Sequence, residues 1–146
     1  MHVSTIGALT AALLAIVGTA TVVNSHGGAF SPPSGCYTGT SADQAMSLTF
    51  DFDASAQDAN VTLTSFGKPF PTCTKETWVY DIATGCTTFP AMSRPLHSSP
   101  DCMVDQLQLV WITKFNLTFV AAAEGAPPYL QLSDNGYSMA LFRCNL

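Results

Sequence analysis

Alternation of apolar and polar side chains dominates the chain after residue 35. From Met46 to Asp53 every second residue is apolar, and these residues are Met46, Leu48, Phe50 and Phe52. A repeat of two residues places alternate side chains on the same face of an extended chain. The stretch therefore predicts a β-strand that turns one apolar face toward a core.

Similar alternation predicts four more strands, at residues 60–66, 77–82, 86–89 and 115–119. A final hairpin is predicted around Asn135-Gly136, because this pair is preferred in a type I′ turn. Counting outward from the turn sets the register of the two strands. The facing pairs are Asp134–Tyr137, Leu132–Met139, Leu130–Leu141 and Pro128–Arg143.

Residues 99–111 fit two patterns. Ser99-Pro100-Asp101 has the composition of a helix start, with Ser99 as the N-cap. Leu107, Leu109 and Trp111 alternate with glutamines as a strand would. We interpret the segment as one helical turn followed by a strand. About eight strands then predict an all-β fold, a small antiparallel up-and-down barrel, with an open β-sandwich as the alternative.

The first 25 residues have the features of a secretory signal peptide. Ile6 to Val23 carries no charge, and small residues offer cleavage after Ala20 or after Ser25. An uncleaved membrane anchor is the alternative, but no basic residues flank the apolar run. We therefore expect a signal peptide at 1–25, a flexible lead-in at 26–35, a single β domain at 36–146, and no membrane span in the mature form.

Charge, sequons and cysteines agree with secretion to the extracellular space. The net charge of −5 argues against a nucleic-acid partner, which requires a basic face. Asn60 and Asn116 begin glycosylation sequons, and both fall on the predicted solvent face of a strand. The chain has five cysteines without a closely spaced pair, which indicates disulfides rather than a zinc site.

Two short motifs resemble the calycin group, the small up-and-down barrels that include lipocalins and avidin-like proteins. Those families open their first strand with Gly-x-Trp, and an arginine near the end of the last strand stacks on that tryptophan. Here Gly35-Cys36-Tyr37 stands at the start and Arg143 near the end, with tyrosine in place of tryptophan. The resemblance implies that Tyr37 and Arg143 meet and close the barrel.

The same closed barrel predicts the disulfide pairing. If the first and last strands are neighbours, Cys36 and Cys144 meet on the outer surface of the seam. Cys86 and Cys102 would then bridge the proline-rich loop between them, and Cys73 would remain unpaired.

The inward face of the predicted barrel is rich in large apolar side chains. The candidate ligand-lining residues are Phe50, Phe52, Trp78, Tyr80, Trp111, Phe115 and Met139. These side chains either wall a pocket for a small apolar ligand or fill a closed core, because an eight-stranded barrel is only just wide enough to hold a ligand. The leading hypothesis is a secreted, non-catalytic binding protein that carries such a ligand. The alternative is an extracellular structural or surface-interaction protein with a filled core and an extracellular protein partner.

Catalytic and metal-binding motifs are weak, so we expect neither enzymatic activity nor a cofactor. A mature N-terminal His26 could hold copper with His97, and a copper-dependent oxidase is therefore a third hypothesis. Asp51 and Asp53 begin a segment that lacks the glycine and the glutamate of a calcium loop. Arg94 lies in the proline-rich loop, which is interpreted as a crossover or lid rather than an inhibitor loop.

Overall fold

The computed structural model describes residues 30–93 and 100–145. These residues form one curled antiparallel sheet, one α-helix and a short 3₁₀ helix at Pro90–Ser93. The helix α1 spans Cys102–Gln108. The strands are β1 (Gly35–Thr40), β2 (Met46–Asp53), β3 (Asp58–Ser65), β4 (Lys68–Pro69), β5 (Cys73–Thr77), β6 (Val79–Asp81), β7 (Cys86–Thr88), β8 (Asn116–Val120), β9 (Tyr129–Asp134) and β10 (Tyr137–Arg143).

Strand order follows an up-and-down path around the sheet. Hydrogen bonds join the strands in the order β4-β3-β2-β1-β10-β9-β8-β7-β6, so the last strand lies beside the first. β5 pairs with β3 and β6 pairs with β7, and only Trp78 separates β5 from β6. Segment 73–81 therefore pairs with the sheet near one edge through β5 and forms the opposite edge through β6. The predicted all-β class and the up-and-down order are confirmed.

The final hairpin has the predicted register but a different turn. Leu132 pairs with Met139 and Leu130 with Leu141, as expected. Gly136 has a φ of +89°, whereas Asn135 does not have a positive φ. A type I′ turn requires positive φ at both positions, so that prediction is wrong. The Asn135 N–H instead donates to the Asp134 carboxylate at 2.7 Å.

The segment after residue 100 is helical for longer than the sequence predicted. Asp101, rather than Ser99, is the N-cap, and its carboxylate accepts a hydrogen bond from the Val104 N–H at 3.0 Å. The helix continues to Gln108, and the expected strand at residues 107–111 is wrong. Met103 and Leu107 are both buried in the core, which favours the helical repeat over the alternating one.

The curled sheet is a half-barrel, hereafter the barrel, because no strand pairing among the described residues joins β6 to β3, β4 or β5. The turn that follows α1 lies at one of its ends. β1 and β3 end there, and α1 contacts β3 and β5. We call this the helix end. The opposite end, where β1 begins beside the end of β10, is the seam end.

A buried hydroxyl in the sheet supplies a stability prediction. Thr87 is completely buried, and its Oγ1 makes no hydrogen bond with any described residue. A buried hydroxyl without a partner keeps its desolvation cost, so Thr87→Val should raise the free energy of unfolding by about 1 kcal/mol. Urea unfolding measures this change. The control is Thr38→Val, which removes a hydroxyl that lies 3.2 Å from the Leu48 carbonyl oxygen and should lower stability. A loss of stability in Thr87→Val would contradict the prediction.

Candidate functional site

Most of the predicted lining residues face inward. Phe50, Phe52, Trp78, Phe115 and Met139 are buried, and Tyr80 is partly buried. Trp111 is the exception, because its side chain is 88% exposed and it lies in a turn rather than in a strand. The prediction that Trp111 lines the interior is therefore wrong.

The inward aromatic side chains pack against one another. The ring centroids of Phe50, Phe52, Phe89 and Phe115 lie 5.5 to 6.4 Å apart in the contacting pairs. The Trp78 ring meets Phe52 edge-on at 5.7 Å. Such distances are those of packed aromatic side chains in a core. Phe89, which the sequence placed at a strand end, is one of these central rings.

The seam between the first and last strands brings together the residues of the calycin-like motifs. Tyr37 pairs with Arg143 across β1 and β10, and the Arg143 Nε donates to the Tyr37 hydroxyl at 3.3 Å. The guanidinium carbon lies 5.6 Å from the centre of the Tyr37 ring, within the range of a cation–π contact. Arg143 shares the face of Leu141 but is exposed, because it lies at the mouth of the barrel.

The disulfides agree with the prediction at the seam and differ from it at the helix. Cys36 is bonded to Cys144, with Cα atoms 5.4 Å apart, so this pairing is confirmed. Cys73 is bonded to Cys102, and Cys86 is unpaired, so the predicted bridge from Cys86 to Cys102 is wrong. The reason is geometric. Cys86 lies on β7, near one edge of the sheet, whereas α1 begins beside β5, which pairs with β3 near the other edge.

A buried carboxylate lies beside the second disulfide. The Glu76 carboxylate lies within 4.8 Å of the Cys73 and Cys102 sulfur atoms. Because these sulfur atoms are bonded to each other, only the carboxylate is free to bind a metal ion. Burial raises the pKa of Glu76, the Asp101 carboxylate raises it further, and a hydrogen bond from the Met103 N–H opposes both effects.

The raised pKa of Glu76 gives a pH-dependent prediction. The folded protein holds this proton at higher pH than the unfolded chain does, so stability falls as pH rises from the unfolded pKa toward the folded one. Glu76→Gln removes the charge and should raise the free energy of unfolding at neutral pH, with little effect below about pH 4. Denaturant unfolding at both pH values checks this, and Glu124→Gln, which alters an exposed carboxylate, is the control. A variant less stable than the parent at neutral pH would refute it.

The remaining sequence candidates are exposed or lie outside the described residues. Asn60 and Asn116 are exposed, as glycan acceptors must be. Asp51 and Asp53 are also exposed. Residues 1–29, with the expected signal peptide and His26, lie outside the described residues, and so do Arg94 and His97.

An open crevice at the helix end was not foreseen from the sequence. It has a volume of about 310 Å³ and lies where the turn after α1 meets the β1–β2 and β3–β4 turns. We call it the aromatic crevice, and its main side chains are Asp43, Phe66, Leu109, Trp111 and Tyr137. Phe66 is 82% exposed and Leu109 67% exposed. Three large apolar side chains, including Trp111, thus stand in solvent around one small cavity.

Trp111 occupies a position that favours glycine. Its φ is +65°, a left-handed conformation that is unfavourable for a bulky side chain. The Trp111 N–H donates to the Gln108 carbonyl, and the Ile112 N–H donates to the Leu107 carbonyl at 3.0 Å. These two bonds form the Schellman motif that ends a helix, in which the left-handed residue is usually glycine.

Phe66 occupies a second unfavourable position. Ser65 pairs with Lys68, so Phe66 and Gly67 alone form the turn between β3 and β4. Their φ values are +48° and +73°, the signs of a type I′ turn, in which asparagine is preferred where Phe66 stands. Both exposed rings therefore stand where their own backbone conformation disfavours them, and such local strain is found most often at functional sites.

Comparison with known proteins identifies no relative. No protein-family model, no curated protein and no solved structure matches this chain. Within residues 30–93 and 100–145, no helix has both the length and the apolar character needed to cross a membrane. A functional interpretation therefore depends on the site itself.

Proposed function

We propose that this chain is a secreted, non-catalytic binding protein that takes a small ligand in the aromatic crevice rather than inside the barrel. The observation that carries this proposal is the exposure of Phe66 and Trp111 on strained backbone around one cavity. Neither ring contributes much to the core, so a contact with another molecule would account for two large apolar side chains at these exposed positions.

Secretion is supported by the two disulfides, which suggest an oxidising compartment, and by the exposure of both sequon asparagines. The up-and-down order and the contact between Tyr37 and Arg143 support kinship with calycin-type barrels as a further part of the proposal. The mutual packing of the inner rings favours a filled core, the alternative hypothesis from the sequence, over an interior that carries the ligand.

The proposal is tested with 1-aminoanthracene, an apolar fluorophore that is neutral at neutral pH. We expect saturable fluorescence enhancement with the parent protein. Trp111→Gly and Phe66→Asn should each weaken binding about tenfold or more, since a ring that covers a ligand contributes about 1.5 kcal/mol or more. The control is Phe142→Ala, which removes an exposed ring that packs on Tyr129 in β9.

Two outcomes would overturn the proposal. One is the absence of saturable binding by the parent protein. The other is unchanged affinity in Trp111→Gly and Phe66→Asn, which would place the probe outside the aromatic crevice.

A further inference from the structure

The electrostatics of the aromatic crevice restrict the class of its ligand. Of the side chains that line it, Asp43 alone carries a formal charge. The Ser41 hydroxyl donates to the Asp43 carboxylate at 2.5 Å, and the Ala45 N–H donates to it at 3.1 Å. These hydrogen bonds lower the pKa of Asp43, so its negative charge persists through the neutral range.

Tyr137 adds a buried polar group without adding a charge. Its hydroxyl is buried and has no hydrogen-bond partner among the described residues. The nearby Ser41 hydroxyl has a single proton, which it can donate either to the Asp43 carboxylate or to the Met46 carbonyl oxygen. Burial and the Asp43 charge raise the pKa of Tyr137, an effect that Ser41 partly opposes, so the phenol stays protonated.

Two of the aromatic rings of the crevice, Phe66 and Trp111, are more than four-fifths exposed, whereas Tyr137 is partly buried against the core. Phe66, Trp111 and Tyr137 form no aromatic pair with another ring among the described residues, whereas the inner phenylalanines pack against one another. The Phe66 N–H donates to the Ala45 carbonyl at 2.6 Å, which ties the turn of Phe66 to the turn of Asp43. Ring faces and a carboxylate are thereby held around one cavity before any ligand binds.

We propose that the aromatic crevice binds a small organic cation, an alkylated amine or quaternary ammonium compound, with Asp43 as its counter-ion and the three rings around its apolar groups. The proposal rests on the proposed function and names its ligand class. A cation above an aromatic face is attracted by the ring quadrupole, and quaternary ammonium groups are bound in this way in aromatic cages. The volume of about 310 Å³ suits a small free molecule.

The test compares two ligands of nearly the same shape by calorimetric titration. Choline carries a quaternary nitrogen, and 3,3-dimethyl-1-butanol has an uncharged carbon in its place. We expect choline to bind about tenfold more tightly, since the charge gains both cation–π and carboxylate interactions. Asp43→Asn should weaken choline binding about three- to fivefold and leave the affinity for the alcohol unchanged.

A matched variant controls for the loss of a carboxylate. Asp53, the last residue of β2, accepts hydrogen bonds from Ser55 and Ala56 much as Asp43 does from Ser41 and Ala45, but it lies at the seam end. Asp53→Asn should not change choline affinity. Both variants can be checked for folding by their near-ultraviolet circular dichroism.

The outcomes separate this inference from the proposed function. Equal binding of choline and the alcohol, or equal effects of the two Asp variants on choline affinity, would overturn cation recognition. Saturable binding of 1-aminoanthracene would still support the aromatic crevice as the ligand site. Failure of all three compounds to bind would overturn both. Co-sedimentation of the protein with phosphatidylcholine vesicles, without any binding of free choline, would indicate a lipid surface as the partner and would overturn the proposal of a free organic cation.

Discussion

Replacing Cys36 and Cys144 together with alanine lowers the free energy of unfolding by about 4 to 5 kcal/mol, the largest effect we expect from any change in this chain. The bond joins residues 108 positions apart, and the stabilisation grows with the length of the loop that is closed. The bond also lies where β10 returns to β1, next to the hydrogen bond from the Cys144 N–H to the Cys36 carbonyl. Urea unfolding of both proteins gives the difference.

The second disulfide supplies a comparison on the same scale. Cys73 and Cys102 are 29 positions apart, so the alanine pair at these positions should cost about 3.5 kcal/mol, less than the seam pair. Cys86→Ala breaks no bond and is the parent background for both pairs, since it also prevents exchange with a free thiol. If the variant that lacks Cys36 and Cys144 does not fold, thermal unfolding of the parent with and without a phosphine reductant measures the loss of stability from both disulfides together. A smaller loss of stability on replacing Cys36 and Cys144 than on replacing Cys73 and Cys102 would contradict the prediction.

Combining Phe66→Asn with Trp111→Gly makes the protein more stable and removes probe binding. Each left-handed aromatic residue costs about 1 kcal/mol relative to a residue suited to that conformation, so the double variant should gain about 2 kcal/mol. Little packing is lost, because both rings are more than four-fifths exposed. Binding of 1-aminoanthracene should fall by about a hundredfold if the two rings contribute independently.

Opposite changes in stability and binding would distinguish a binding site from a packing site. Denaturant unfolding and fluorescence titration on the same samples provide both numbers. Phe142→Ala, which removes an aromatic contact with Tyr129, should lower stability slightly and leave binding unchanged. A double variant that loses stability, or one that retains the affinity of the parent protein, would refute this prediction.

Period-two alternation predicted much of the sheet because the residues concerned are buried on one face only. β2 has that pattern along its whole length, and the hairpin of β9 and β10 has the predicted facing pairs. The short strand β5 was missed because it contains Lys75 and Glu76 and bends at Trp78 to join two different neighbours. Alternation carries no signal for a strand that changes partner in mid-course.

The aromatic crevice could not be predicted because it depends on local conformation rather than on pattern. Leu107, Leu109 and Trp111 alternate, so the sequence favoured a strand, but Leu107 lies in the last turn of α1 and Trp111 lies in the turn that follows it. Phe66-Gly67 is an uncommon type I′ pair, whereas the favoured Asn135-Gly136 pair does not form that turn. A site built where residues oppose local preference is the kind that preference-based prediction misses.

The two tryptophans allow the most direct test of the proposed ligand site. Trp78 is buried in the core, and its Nε1–H donates to the Asp58 carbonyl at 2.8 Å, whereas Trp111 is exposed in the aromatic crevice. Each indole N–H gives its own signal in a nitrogen–proton correlation spectrum, and Trp111→Gly identifies which is which. Titration with 1-aminoanthracene should shift the Trp111 signal saturably and leave the Trp78 signal in place. A shift of Trp78 with Trp111 unchanged would contradict the account and place the ligand inside the barrel.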